Sequence, residues 1–184
     1  MTFKYFYWLW LALLVGPGLA QQPNAAALVT APEVLARDLG EHILRIDVSV
    51  KDMYGRQESR SVPITVYRPK GEGPFPLVVF NHGRAVEAKR AAQGRYRPEA
   101  AARYLVAKGF VVMVPTRIGY WETYGSFDPE FSGCRSIEPM SIAASDQVLA
   151  TVTFARSLPY VDTSRWLVGG VSVGGLTSVA TVGR

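Results

Sequence analysis

Gly170-Val171-Ser172-Val173-Gly174 places a hydroxyl nucleophile between two glycines, and the apolar Leu167-Val168 leads into it. A serine in that setting can be held on a sharp strand-to-helix turn with its hydroxyl exposed. The glycines let strand and helix approach where any side chain would collide. The chemistry this suits is acyl transfer, in which Ser172 attacks a carbonyl and the tetrahedral intermediate needs donors aimed at its oxyanion. One donor would be the N–H of Val173, directly after the nucleophile. The other would come from the loop after the first parallel strand, where Asn81-His82-Gly83-Arg84 stands. The competing reading is a Gly-rich turn without chemistry, perched on a phosphate. A dinucleotide fingerprint would need Gly-x-Gly-x-x-Gly after the first strand and an acidic residue downstream, and the sequence meets neither condition.

A serine nucleophile needs a base, and the chain has two histidines. His82 reads as a residue that shapes the oxyanion loop beside the pocket. Using it as the general base would require a triad order foreign to this strand–turn–helix arrangement. His42 precedes the first strand and reads as a surface histidine. Tyr120 and Trp121, followed by Tyr124 and Phe127, sit on a Gly-rich loop, where they either line an acyl or aryl pocket or simply pack. No metal-ligand spacing and no cofactor motif accompanies them.

These groups need elements to position them. Leu44, Ile46, Val48 and Val50 alternate with polar residues, and so do Val62, Ile64 and Val66, with a polar Tyr54-Gly55-Arg56 connection between. That pattern predicts an antiparallel hairpin at a sheet edge. Leu77 to Phe80, Phe110 to Val114 and Trp166 to Gly169 are continuously apolar, as strands buried on both faces would be. A helix is expected from Pro98 to Lys108, with Ala101, Leu105 and Val106 inward. A second should carry Ile142, Leu149, Val152 and Ala155 inward and end before Pro159, and a third should follow Val173. The fold class is therefore α/β: a hairpin, then parallel strands with helices on both faces.

The chain has 184 residues, a net charge of +5 and a pI near 9.5, enough for one domain of ordinary size. Its start is different in kind. Lys4 precedes the apolar run Tyr5 to Val15, and Gly18-Leu19-Ala20 supplies small residues, so 1–20 reads as a signal peptide cleaved after Ala20. The run is too short to serve as a stable membrane anchor. A flexible leader over 21–40 and a folded part over 41–184 would follow, in a secreted or periplasmic protein. Cys134 is the only cysteine, so no internal disulfide forms; it is a buried thiol or pairs outside this sequence. The basic residues between Arg84 and Arg103 raise nucleic acid as a partner, but no recognition motif accompanies them. A solvated basic face is the expectation, with a small-molecule substrate and no nucleic acid.

The ordered set Leu77–Gly83, Val114–Tyr120, Leu158–Asp162 and Gly170–Gly175 resembles the α/β-hydrolases, and within them the dienelactone-hydrolase-like and prolyl-oligopeptidase-like groups. The resemblance covers about residues 43–182. It implies an ester- or acyl-cleaving serine hydrolase with Ser172 as nucleophile, oxyanion donors at Val173 and near Arg84, and Tyr120 beside the pocket. Two departures stand out. Dienelactone hydrolase carries a cysteine nucleophile, which argues against that substrate here. The family also places its acid and histidine after the nucleophile, and Val173 to Arg184 contains neither. The expectation is an incomplete α/β-hydrolase fold, nearly inactive as written, with Trp166 to Val171 left as an apolar edge and the acid and histidine lying downstream. The second expectation is a non-catalytic scaffold kept for binding.

Overall fold

Two antiparallel strands begin the sheet. β1 (His42–Lys51) and β2 (Gln57–Tyr67) pair antiparallel from His42 opposite Val66 to Lys51 opposite Gln57. Their alternation turns Ile46, Val48, Val50, Val62, Ile64 and Val66 into the core. The connecting turn is built by Asp52, whose Oδ1 accepts from the N–H groups of Tyr54 at 2.8 Å and Arg56 at 2.9 Å. An aspartate accepting from backbone two residues on fixes such a turn without help from the strands.

β3 (Phe75–Asn81), β4 (Val111–Pro115) and β5 (Val161–Gly170) complete a five-stranded sheet in the order β1-β2-β4-β3-β5. β3 runs parallel to both β4 and β5, and β4 is antiparallel to β2. The computed structural model describes residues 33–125, 127–132 and 135–184. The signal peptide expected over 1–20, most of the leader and Cys134 lie outside the described residues.

After the single turn α1 (Glu87–Arg90), helix α2 (Glu99–Ala107) packs on one face of the sheet, where Ala102 meets Tyr67, Val112 and Val114. Helix α3 (Ile137–Ala155) covers the opposite face, where Val148, Val152 and Ala155 meet Leu77, Val79, Val111 and Met113. Helix α4 (Val173–Val182) packs beside α3 and against β5. The sheet is thus covered on both faces, as expected of an α/β protein. The connection after β3 leads to β4 on one side, and the connection after β4 leads to β5 on the other. This puts a topological switch point at the C-terminal end of β3, where open α/β sheets hold their ligands.

Four expectations need correction. Residues 37–39, placed at the end of a flexible leader, form a 3-10 turn with Leu39 buried. β5 starts at Val161 rather than Trp166. It occupies the outer edge of the described sheet with Leu167 53% exposed, which agrees with the expected apolar edge and corrects the reading of a strand buried on both faces. Helix α3 begins at Ile137, and its inward stripe is only partly the one expected: Val152 and Ala155 do face the core. Ile142 is 40% exposed, while Ala143, Ala144, Gln147, Val148 and Thr151 are buried. Gln147 faces inward because its Oε1 accepts the Ile118 N–H at 2.8 Å, a bond that no apolar side chain could make.

The basic stretch from Arg84 to Arg103 is the fourth. It is largely an interior ion-pair set and not a solvated face. Arg90 and Arg95 are 5% and 6% exposed. Arg95 donates to Glu41 Oε1 at 2.8 Å and Arg97 to the same oxygen at 2.7 Å. Burial pushes the Glu41 carboxyl up, but the bonds from Arg97, the Ala36 N–H and Arg95 outweigh it and hold its pKa at about 2.

Candidate active site

Ser172 lies two residues beyond the point where Gly170 pairs with Asn81 across β5 and β3. Its backbone has φ +52° and ψ −124°, the left-handed side of the map that a residue with a side chain rarely adopts. Such a conformation persists only where surroundings impose it, and here two close approaches do. A Cβ on Gly174 would sit 2.3 Å from Asn81 O and 2.7 Å from His82 O. One on Gly170 would sit 2.5 Å from Asn81 O. The strand end, the helix start and the β3 loop are therefore wedged together with no room for a methyl group. Val171 N–H donates to Asn81 O at 3.1 Å, which pins the turn to β3. Ser172 itself is exposed.

Gly83 lies against the serine. A Cβ at Gly83 would be 3.3 Å from Ser172 Cβ and 3.9 Å from its Oγ. Arg84 follows directly. Val173 is the first residue of α4, and the first N–H groups of a helix have no intrahelical acceptor. The structure therefore gathers Ser172, Val173 and the Gly83-Arg84 backbone at the switch point. The Arg84 side chain turns away and donates from Nη2 to Asp128 Oδ2 at 3.0 Å. Beside it opens a cavity of about 420 Å³ lined by Arg56, Arg90, Tyr124, Asp128 and Phe131.

His82 is 2% exposed. Its Nε2 lies 3.1 Å from the Arg117 N–H and its Nδ1 lies 2.7 Å from Gly83 O. An amide can only donate and a carbonyl can only accept, so Nδ1 carries the proton and Nε2 accepts. Both nitrogens are engaged, and none is left to take a proton from Ser172. Burial, reinforced by the Arg117 charge, holds the His82 pKa well below 6.5. In the unfolded chain the ring takes a proton as pH falls through 6.5, while in the folded chain it does not. The stability this ring contributes is therefore complete above pH 6.5 and is lost as pH falls towards the lower folded value. The urea midpoint is expected to drop between pH 7 and pH 5, and a flat profile there would contradict the assignment.

Tyr120 packs in the interior. It is fully buried, with its ring edge-on to His82 at 4.5 Å and the Arg90 and Arg117 guanidinium groups 5.7 and 5.8 Å from its centroid. Burial, aided by the Glu130 carboxylate, pushes its phenol up to about 12. Trp121 opens the 3-10 turn Trp121–Thr123 with φ +47° and is half-buried, and Phe127 is buried. Of the aromatic loop, Tyr124 is the residue that lines the cavity beside Arg84. His42 is tied to Gly40 O at 3.0 Å and to the Tyr160 hydroxyl at 3.3 Å.

Over 77% of its length the chain matches the rice cell wall degrading esterase LipA from Xanthomonas oryzae, at 20% identity and a TM-score of 0.53. A hydrolase of Legionella pneumophila matches over 77% at 18% identity and 0.54, and the dipeptidyl peptidase 4 of Porphyromonas gingivalis over 76% at 22% and 0.51. The chain has an α/β-hydrolase fold. At these identities the likeness is one of fold, and the chain covers 37% of the first two structures and 19% of the third. No family model and no curated protein sequence matches it. In this chain the strained serine follows the end of β5, and Gly83-Arg84 follow the end of β3.

Arg117, Asp128 and Glu130 join the site, though no local pattern in the sequence marks them as a set. Arg117 Nε donates to Glu130 Oε1 at 2.6 Å, and both side chains are fully buried. For Arg117 one signal was present: a charged residue two positions beyond the wholly buried strand β4 has nowhere to go but inward or into a pair.

Proposed function

We propose that this chain carries the nucleophile of a serine hydrolase that cleaves an ester or related acyl bond. Ser172 attacks the carbonyl carbon, and the N–H groups of Val173 and Arg84 receive the developing oxyanion. The observation that carries this reading is the exposed Ser172 held at φ +52° against Gly83, a strained geometry that a purely structural turn has no need to keep. His82 is spent on Arg117 and Gly83, and His42 on Gly40 and Tyr160. On this reading the general base and its acid partner are residues outside this sequence. The catalytic order is Ser172 deprotonated by that base as it attacks, collapse of the tetrahedral intermediate with loss of the alcohol, and hydrolysis of the acyl-serine by water.

The test is covalent. The natural full-length protein, treated with a fluorophosphonate probe and digested, should carry the adduct on the peptide containing Ser172. A folded protein with no adduct there would favour a non-catalytic scaffold instead. The reading also includes export to the periplasm or medium, motivated by the charged, apolar and small-residue succession of residues 1–20. The mature protein recovered from those fractions should begin at Gln21, and recovery of an intact Met1 terminus would end that part of the proposal.

A further inference from the structure

Four contacts converge on one residue of the oxyanion loop. Arg117 donates its backbone N–H to His82 Nε2 at 3.1 Å and its Nη1 to His82 O at 3.0 Å. His82 Nδ1 donates to Gly83 O at 2.7 Å, and Gly174 packs without a side chain against His82 O. Ring and carbonyl are both gripped, so the peptide that follows has no freedom to turn. Arg117 is in turn fixed by Glu130, through Nε to Oε1 at 2.6 Å and Nη2 to Oε2 at 3.4 Å, with both residues at zero exposure.

The other side of the loop is held from the same segment. Asp128 Oδ2 accepts from Arg84 at 3.0 Å and also from Arg90, while Asp128 Oδ1 accepts the Glu130 N–H at 3.0 Å. Glu130 Oε2 lies 3.7 Å from Arg84 Nη1. The two carboxylates form one rigid unit that brackets Gly83, one acting on the residue before it and the other on the residue after it.

We infer that Glu130, acting through Arg117 and His82, is a positioning residue that aims the Arg84 N–H at the oxyanion of the Ser172 reaction. A fully buried ion pair is a poor stability device, because desolvation offsets its attraction and apolar residues of like volume often do as well. What Arg117–Glu130 supplies that an apolar pair cannot is a fixed donor on the His82 carbonyl. Oxyanion donors act through placement within a few tenths of an ångström, so the pair matters in the transition state and little in substrate binding.

This rests on the proposed hydrolase reading, and the experiment separates the two. In the natural full-length protein, the double variant Arg117→Met/Glu130→Met removes both charges together and leaves no lone buried ion. With p-nitrophenyl acetate as probe, its kcat is expected to fall about 100-fold while KM changes by less than about threefold. A folded double variant with kcat near wild type, or with its loss carried by KM, overturns the inference. Should the double variant not fold, Glu130→Asp keeps the charge, withdraws the carboxylate by one methylene and is read by the same kcat-against-KM split. If the wild type neither turns over the probe nor takes the fluorophosphonate on Ser172, the hydrolase reading itself has failed. The clamp is then read by NMR of the His82 ring: loss of the Nδ1–H signature in the variant retains it as a structural lock and overturns its positioning role.

Discussion

Ser172→Ala in the natural full-length protein is expected to lower kcat on p-nitrophenyl acetate by about a millionfold, down to what the oxyanion donors and binding supply alone. The magnitude follows from the role. Removing the atom that forms the acyl bond leaves no partial version of the covalent route. Stability should respond separately. Alanine keeps a Cβ at φ +52° and so keeps the strain, whereas Ser172→Gly removes it and should raise stability by about 1 kcal/mol. An inactive but more stable glycine variant is the signature of strain held for chemistry. An alanine variant that retains more than about a hundredth of the wild-type rate would remove Ser172 from the reaction.

Two neighbouring glycines should answer the same substitution with opposite signs. A methyl group on Gly174 would lie 2.3 Å from Asn81 O, 2.7 Å from Asn81 C and 2.7 Å from His82 O, all of them backbone atoms. No rotamer change can make room, so α4 and β3 would have to separate at the elbow. Overpacking against backbone is at the costly end of its range, so Gly174→Ala should destabilise by about 3 kcal/mol or more, roughly 10 °C in Tm. Gly175 is different. Its nearest neighbour to a new Cβ is Gly170 O at 3.6 Å, ordinary contact, and the residue lies in the first turn of α4. Gly175→Ala should therefore stabilise by about 0.5 to 1 kcal/mol through helix propensity. Thermal melts of the two variants settle it, and equal shifts would mean that the wedge at Asn81 is not what holds the turn.

Much of this was legible from the residues because local patterns carried it. The hairpin showed in its alternation because one face of β1 is buried and the other is wet. The elbow showed because three constraints met at one place: an apolar strand end, a serine and flanking glycines. The inward face of α3 was legible at Val152 and Ala155 but not at its first turns, for a physical reason. Periodicity weights large apolar residues such as Ile142, whereas the close-packed face is made of Ala143, Ala144, Gln147 and Thr151. Charges were the least readable. Arg90 finds Asp128 38 residues away and Arg95 finds Glu41 54 residues away. No local window contains both partners, so a run of arginines looks like solvated surface until the fold brings the carboxylates in. The Arg117–Glu130 clamp was missed in the same way, although only 13 residues separate the pair.

The place of β5 in the sheet has a dynamic consequence. It is the outermost described strand and, among the described strands, pairs with β3 alone, at the far end of a long connection. Strands with one bonded neighbour and half-exposed side chains open at lower free energy than those paired on both sides, such as β4. The serine backbone depends on β5 and α4 staying wedged against Asn81, so whenever this edge lifts, Ser172 can relax out of its left-handed conformation. The left-handed backbone of Ser172 is therefore expected to persist only while β5 stays paired with β3 and α4 stays wedged against Asn81.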